Sequence, residues 1–213
     1  MNRFDLVIFD FDGTLADSVA WFRANINHIA QRYRFRQVTP DELEELRGQT
    51  NAAIIRHLGV PMWKLPFIAN YARKLVARDA HTIEPFKGSD TLLASLAERG
   101  IRTAIVTSNT EDNVRRILGY ENAARVACYA CGASMFGKAA KFRAVLKATH
   151  ADPARTIAVG DEARDIDAAR KAGIVAGAVT WGYATAELLS AQRPDHLFSS
   201  MDEIVRVAAG DLA

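Results

Sequence analysis

Leu6-Val7-Ile8-Phe9 is an unbroken apolar run, and it leads directly into Asp10-Phe11-Asp12-Gly13-Thr14-Leu15. Four such residues ahead of a glycine turn read as a buried strand. Side chains alternate along extended backbone, so Asp10 and Asp12 share one side while Phe11 points into packing. Two acids at the end of a buried strand are costly unless a cation or a reaction needs them. One carboxylate can attack phosphorus while its neighbour handles a proton, with Mg²⁺ balancing the charge. An ordinary turn would also explain the string, but chance gives it in roughly one chain of this length in several hundred.

Three further stretches arrive in an informative order. Ile105-Val106-Thr107-Ser108-Asn109 is an apolar run ending in hydroxyls. Gly137-Lys138 opens a helical pattern, and Ile157-Ala158-Val159-Gly160-Asp161-Glu162-Ala163-Arg164-Asp165 ends a third run in acids. Each falls where a strand gives way to a loop or helix, the edge at which open α/β sheets bind ligands. Carboxylates, a hydroxyl, a lysine and a second acid pair are the parts needed for metal-assisted phosphoryl transfer.

The spacing also sets the architecture. A βα unit needs about 30 residues, yet the first two strand signals lie roughly three times that far apart. Residues 16–84 read as helical throughout. Val19, Phe22, Ile26 and Ile29 recur at helical spacing, and Thr39-Pro40-Asp41-Glu42 is a start signal with proline in the first turn. Beyond Pro85 the pattern predicts helix 88–99, strand 101–106, helix 111–118, strand 126–130 and helix 138–149. Strand 156–159, helix 163–172 and strand 175–179 follow, then a short strand at His196-Leu197-Phe198 and a last helix at 201–209. This alternation specifies an α/β fold, a parallel sheet with helices on both faces. A core of residues 1–15 and 85–213 then carries an inserted all-helical domain of residues 16–84.

In these motifs the chain resembles the haloacid dehalogenase superfamily hydrolases, in particular their phosphoglycolate phosphatase-like branch, over essentially its whole length. The resemblance implies a Rossmann-like three-layer core, a helical cap closing over the site, and phosphoryl chemistry with Mg²⁺. Asp10 would be the nucleophile and Asp12 the general acid and base; dehalogenating relatives lack an acid at that position. Gly13 and Thr14 would bring backbone amides to the phosphate, Thr107 would bind a phosphoryl oxygen with Ser108 a nearby competitor for that role, and Asn109 would help shape the same substrate-binding loop. Lys138 or Lys141 would meet the phosphate. Lys138 is preferred for the preceding Gly137, although Ala139 stands where much of the family has proline. The metal ligands would be Asp10, the Asp12 carbonyl and Asp161, with Asp165 orienting a metal water or the lysine. Glu162 and Arg164 are expected to be surface charges. Arg47, in the turn Arg47-Gly48-Gln49-Thr50, is expected to grip the substrate, and Trp181-Gly182-Tyr183 either lines the entrance or anchors a loop.

Composition narrows the partners. Among 213 residues, 49% are hydrophobic and 24% charged, with a formal net charge of +2, too weak to imply nucleic acid. Arg32, Arg34 and Arg36, interleaved with Tyr33 and Phe35, read as the solvated end of the first cap helix. Cys128 and Cys131 lack a second pair for zinc and sit in a predicted strand, so buried reduced thiols are expected. The sequence enters its first strand within a few residues and has no stretch long enough to span a bilayer. These features predict a cytoplasmic protein without nucleic-acid or membrane partners, acting on a small phosphorylated metabolite; they leave its oligomeric state open. A phosphatase is the leading expectation. A phosphomutase using the same aspartyl-phosphate and a non-catalytic binding protein on the same fold are the alternatives.

Overall fold

A computed structural model describes residues 2–132 and 137–211 of the chain. Six parallel strands form one sheet in the order β3-β2-β1-β4-β5-β6. They are β1 (Leu6–Phe9), β2 (Arg102–Val106), β3 (Val126–Ala130), β4 (Thr156–Gly160), β5 (Val175–Val179) and β6 (His196–Phe198). β1 lies between β2 and β4, with Phe9 level with Ile105 on one side and Val159 on the other. The strand order reverses there, which is where open α/β sheets leave a crevice at their carboxyl ends.

Alternation along β1 sorts the core into two layers. Val7 and Phe9 join one cluster with Leu92, Leu93, Leu96, Val114 and Ile204. Leu6 and Ile8 join the other with Phe142, Val145, Leu146, Ile166 and Leu189. The first layer is supplied by α5 (Ser89–Glu98), α6 (Glu111–Arg125) and α10 (Met201–Ala209). The second is supplied by α7 (Lys138–Thr149), α8 (Ala163–Ala172) and α9 (Ala186–Ala191). Both faces are covered, so the expected three-layer α/β architecture is present.

Between β1 and α5 lie α1 (Val19–Tyr33), α2 (Pro40–Arg47), α3 (Asn51–His57) and α4 (Leu65–Asp79). α2 begins with a capping box: the Thr39 hydroxyl accepts from the Glu42 N–H and the Glu42 carboxylate accepts from the Thr39 N–H. These helices enclose a small core of their own, with Ile26, Val38, Leu46 and Leu58 at its centre. Near the end of α4 the packing changes hands, because Val76 and Ala80 belong to the sheet-side cluster. The chain enters and leaves the helical segment side by side. Asp17 N–H donates to the Glu84 carbonyl and Phe86 N–H to the Leu15 carbonyl, both at 2.8 Å.

Two details differ from expectation. Helix α6 runs on to Arg125 rather than stopping at 118, because Gly119 (φ 76°) makes a left-handed kink after which helix resumes. Cys128 and Cys131 are free but only half-buried, since β3 is an edge strand. No helix among the described residues is long and apolar enough to cross a membrane.

Candidate active site

The carboxyl ends of β1, β2 and β4 meet at one edge, and each delivers a residue singled out by sequence. Asp10 follows β1, Thr107 follows β2 and Asp161 follows β4; all three are buried. Asp10 Oδ1 accepts from the Phe11 N–H at 2.8 Å, and Asp10 Oδ2 lies 2.7 Å from Lys138 Nζ. The same ammonium donates to Asp165. Lys141 instead reaches the Cys131 carbonyl at 3.4 Å, so of the two candidate lysines it is Lys138 that meets the acid. Gly137 precedes Lys138 as the helix cap, while Phe136 of that motif lies outside the described residues.

Burial drives the electrostatics. It pushes the Asp10 carboxyl up to about 6, with Lys138 pulling it down and Asp165 pushing it up. Burial also raises Asp12, and it raises Asp161 well above the usual carboxylate range, with Glu162 and Asp10 adding to the effect. For Lys138 burial acts downward, but Asp10 and Asp165 outweigh it and keep the ammonium charged.

Asp12 is held by an asparagine pair. Asn109 Nδ2 donates to its carboxylate at 3.3 Å, and Asn109 is itself fixed by Asn113 at 2.8 Å. Nearby, the Ser18 and Tyr183 hydroxyls lie 2.9 Å apart. The Thr107 hydroxyl accepts the Asn109 N–H at 3.0 Å and is buried, whereas Ser108 is exposed.

The turn after β1 departs from one expectation. Gly13 N–H donates to the Ala16 carbonyl and Thr14 N–H to the Phe11 carbonyl, so their amides close the turn instead of facing a ligand. Thr14 contributes through its side chain, which donates to Asp161 Oδ1 at 3.0 Å. Asp161 Oδ2 accepts the Tyr183 N–H at 2.8 Å. A methyl group on Gly13 or Gly182 would lie 2.3 Å from an Asp161 atom, so both positions admit only hydrogen. Trp181 completes the loop by donating its indole N–H to the Thr14 carbonyl at 3.1 Å. The aromatic loop thus both anchors itself and walls the acids.

Arg47 makes contacts that no sequence pattern showed, and the surface assignment of Glu162 and Arg164 needs correction. Arg47, expected to grip a substrate, donates to the Tyr183 carbonyl at 3.0 Å, the Gly182 carbonyl at 3.2 Å and Glu44 at 3.0 Å. It joins α2 to the loop after β5 because its guanidinium finds unpaired carbonyls there. Glu162 and Arg164, expected to be surface charges, pair with each other beside the acids, their side chains 15% and 29% exposed. Asn51 of α3 donates to Glu162 at 2.7 Å. Glu162 went unrecognised because Gly-Asp drew attention to Asp161; its signal was its position at the N-cap of α8.

Asp10, Glu162 and Asp165 each offer an oxygen within 4.8 Å of the others. Asp161 stands beside this trio with its oxygens taken up by Thr14 and Tyr183. With four acids against Lys138 and Arg164, the all-oxygen donor set fits a hard divalent cation.

The comparisons with known proteins agree with this geometry. The family model for haloacid dehalogenase-like hydrolases matches residues 7–179. The chain is 28% identical to a phosphoglycolate phosphatase of Synechococcus elongatus, covering 94% of this chain and 95% of that one. It is 33% identical to the tyrosine-protein kinase PtkA of Mycobacterium tuberculosis, over 86% of this chain and 65% of that one. A haloacid dehalogenase-like family hydrolase of Streptococcus pneumoniae superposes with a TM-score of 0.78 at 19% identity, covering 96% and 98% of the two chains. The chain belongs to the haloacid dehalogenase-like hydrolases.

Proposed function

We propose that the chain is a Mg²⁺-dependent phosphatase that hydrolyses a small phosphomonoester through a phosphoryl group carried on Asp10. The buried Asp10–Lys138–Asp165 array supports this reading most strongly. A carboxylate there attacks phosphorus in line, and the departing oxygen takes its proton from Asp12. The raised affinity of Asp12 for its proton suits the donor role. Asp12 then accepts a proton from the water that attacks the phosphorus of the acyl-phosphate. Lys138 stays charged and offsets the charge on Asp10 and the incoming phosphoryl oxygens. Thr107 and the turn after β1 border the phosphoryl site. Asp10, the Asp12 carbonyl and Asp161 would hold the metal with Glu162 close by, and the metal would supply electrostatic stabilisation of the phosphoryl oxygens.

The relatives named phosphoglycolate phosphatase support a small anionic substrate for this chain. Residues 16–84 act as the cap over the site, and residues 1–15 and 85–213 form the catalytic core. The relative named as a tyrosine-protein kinase favours a second reading, in which a hydroxyl rather than water receives the phosphoryl group. A panel of phosphorylated metabolites assayed with Mg²⁺ for free phosphate separates the two. Phosphate release that is lost on chelation is expected; phosphoryl transfer to a hydroxyl acceptor without phosphate release would favour the second.

A further inference from the structure

Arg164 has no part in the chemistry described above, and its surroundings are unusual for a cation. It sits in the first turn of α8, three residues after Asp161, and its neighbours by charge are Glu162, Asp165, Asp10 and Asp161. Its one ion pair is with Glu162. Among the described residues Nε is buried with no hydrogen-bond partner. A guanidinium has five N–H donors, and leaving even one unmet in a desolvated place is costly. Part of the side chain nevertheless remains open to solvent.

Its position says what is missing. Asn51 reaches Glu162 from the cap, so Glu162 and Arg164 lie at the seam between cap and core. On the phosphatase reading the transferring phosphoryl group belongs against Asp10 and Lys138, which leaves the cap side of the acids, where Glu162 and Arg164 sit, for the rest of the substrate. Arg47, another arginine at this seam, is occupied by carbonyls and Glu44.

We propose that Arg164 is the specificity-determining residue of the site, binding a second anionic group, a carboxylate or phosphoryl, on the leaving-group side of the substrate. The inference rests on the phosphatase reading. Guanidinium donation suits either anion, and such a group gives the Nε–H an acceptor while Glu162 keeps the arginine in place.

The test compares 2-phosphoglycolate, whose leaving group is anionic, with p-nitrophenyl phosphate, whose leaving group is not, for wild type, Arg164→Gln and Arg164→Lys. Arg164→Gln should raise KM and lower kcat/KM for phosphoglycolate by at least about tenfold, with the aryl ester changed less than about threefold. Arg164→Lys should recover part of the loss, because it keeps the charge but not the fork. Equal losses on both esters, or none on phosphoglycolate, would overturn the assignment while leaving the phosphatase reading intact. A wild-type protein idle on both esters and on the wider panel would remove that reading, and this inference with it.

Discussion

Asp10 and Lys138 stand 2.7 Å apart in a buried site crowded with acids, and this pairing sets the pH behaviour. Burial places the Asp10 carboxyl at about 6, so acidification through that point protonates the group that, on the proposed reading, attacks phosphorus and helps hold the metal. Protons and Mg²⁺ then compete for one carboxylate. Raising Mg²⁺ tenfold should therefore move the acid limb of kcat/KM to lower pH, by at most about one unit for one competing proton. Profiles recorded at two Mg²⁺ concentrations check this, and an acid limb that stays fixed would remove Asp10 from the ligand set.

At the scale of elements, the sequence was most legible where the buried pattern and turn chemistry agree. Strands β3 and β5 and helices α7, α8 and α10 fall at the expected residues, the three helices because each is bounded by polar or glycine positions. The glycine at 119 was misread as an end because its left-handed backbone only kinks the helix. The acid–lysine arrangement was legible because it follows strand ends. The Tyr183–Ser18 contact was not, since it joins residues 165 positions apart through a loop whose path no local pattern sets. That loop carries its own prediction. Gly182→Ala drives a methyl group into Asp161 and the Gly13 carbonyl, which would lie 2.3 and 2.5 Å away. Overpacking of this kind costs about 1–3 kcal/mol. Thermal unfolding should show that loss, and Mg²⁺-stimulated turnover should fall with it because Asp161 is displaced.

The whole molecule is a rigid sheet carrying a helical segment on two adjacent connections, Leu15–Asp17 and Glu84–Phe86. Arg47 and Asn51 fasten that segment to the core from its far side. Sequence placed Arg47 in the turn after α2, but it is the last residue of that helix, and two of its partners are backbone carbonyls, which no side-chain pattern reveals. Because the Arg47 and Asn51 contacts are polar and confined to α2 and α3, while Val76 and Ala80 pack into the sheet-side cluster, α2 and α3 should open locally without unfolding the sheet. Arg47→Ala is expected to cost about 1 kcal/mol in global stability. It should speed hydrogen exchange in α2 and α3 while leaving β1 and β4 unchanged. Faster exchange in the strands as well would mean that the cap and core unfold as one unit.

The central claim is that Asp10 carries the phosphoryl group. Trapping that species by acid quench during turnover of a labelled phosphomonoester, followed by peptide mapping, tests it most directly. Asp12→Asn should accumulate the label, because the water-activating step slows while the first is partly spared by a good leaving group. The label should be sensitive to hydroxylamine, map to the peptide containing Asp10, and be absent from Asp10→Asn. Label on any other residue, or near-normal turnover in Asp10→Asn, would contradict the account.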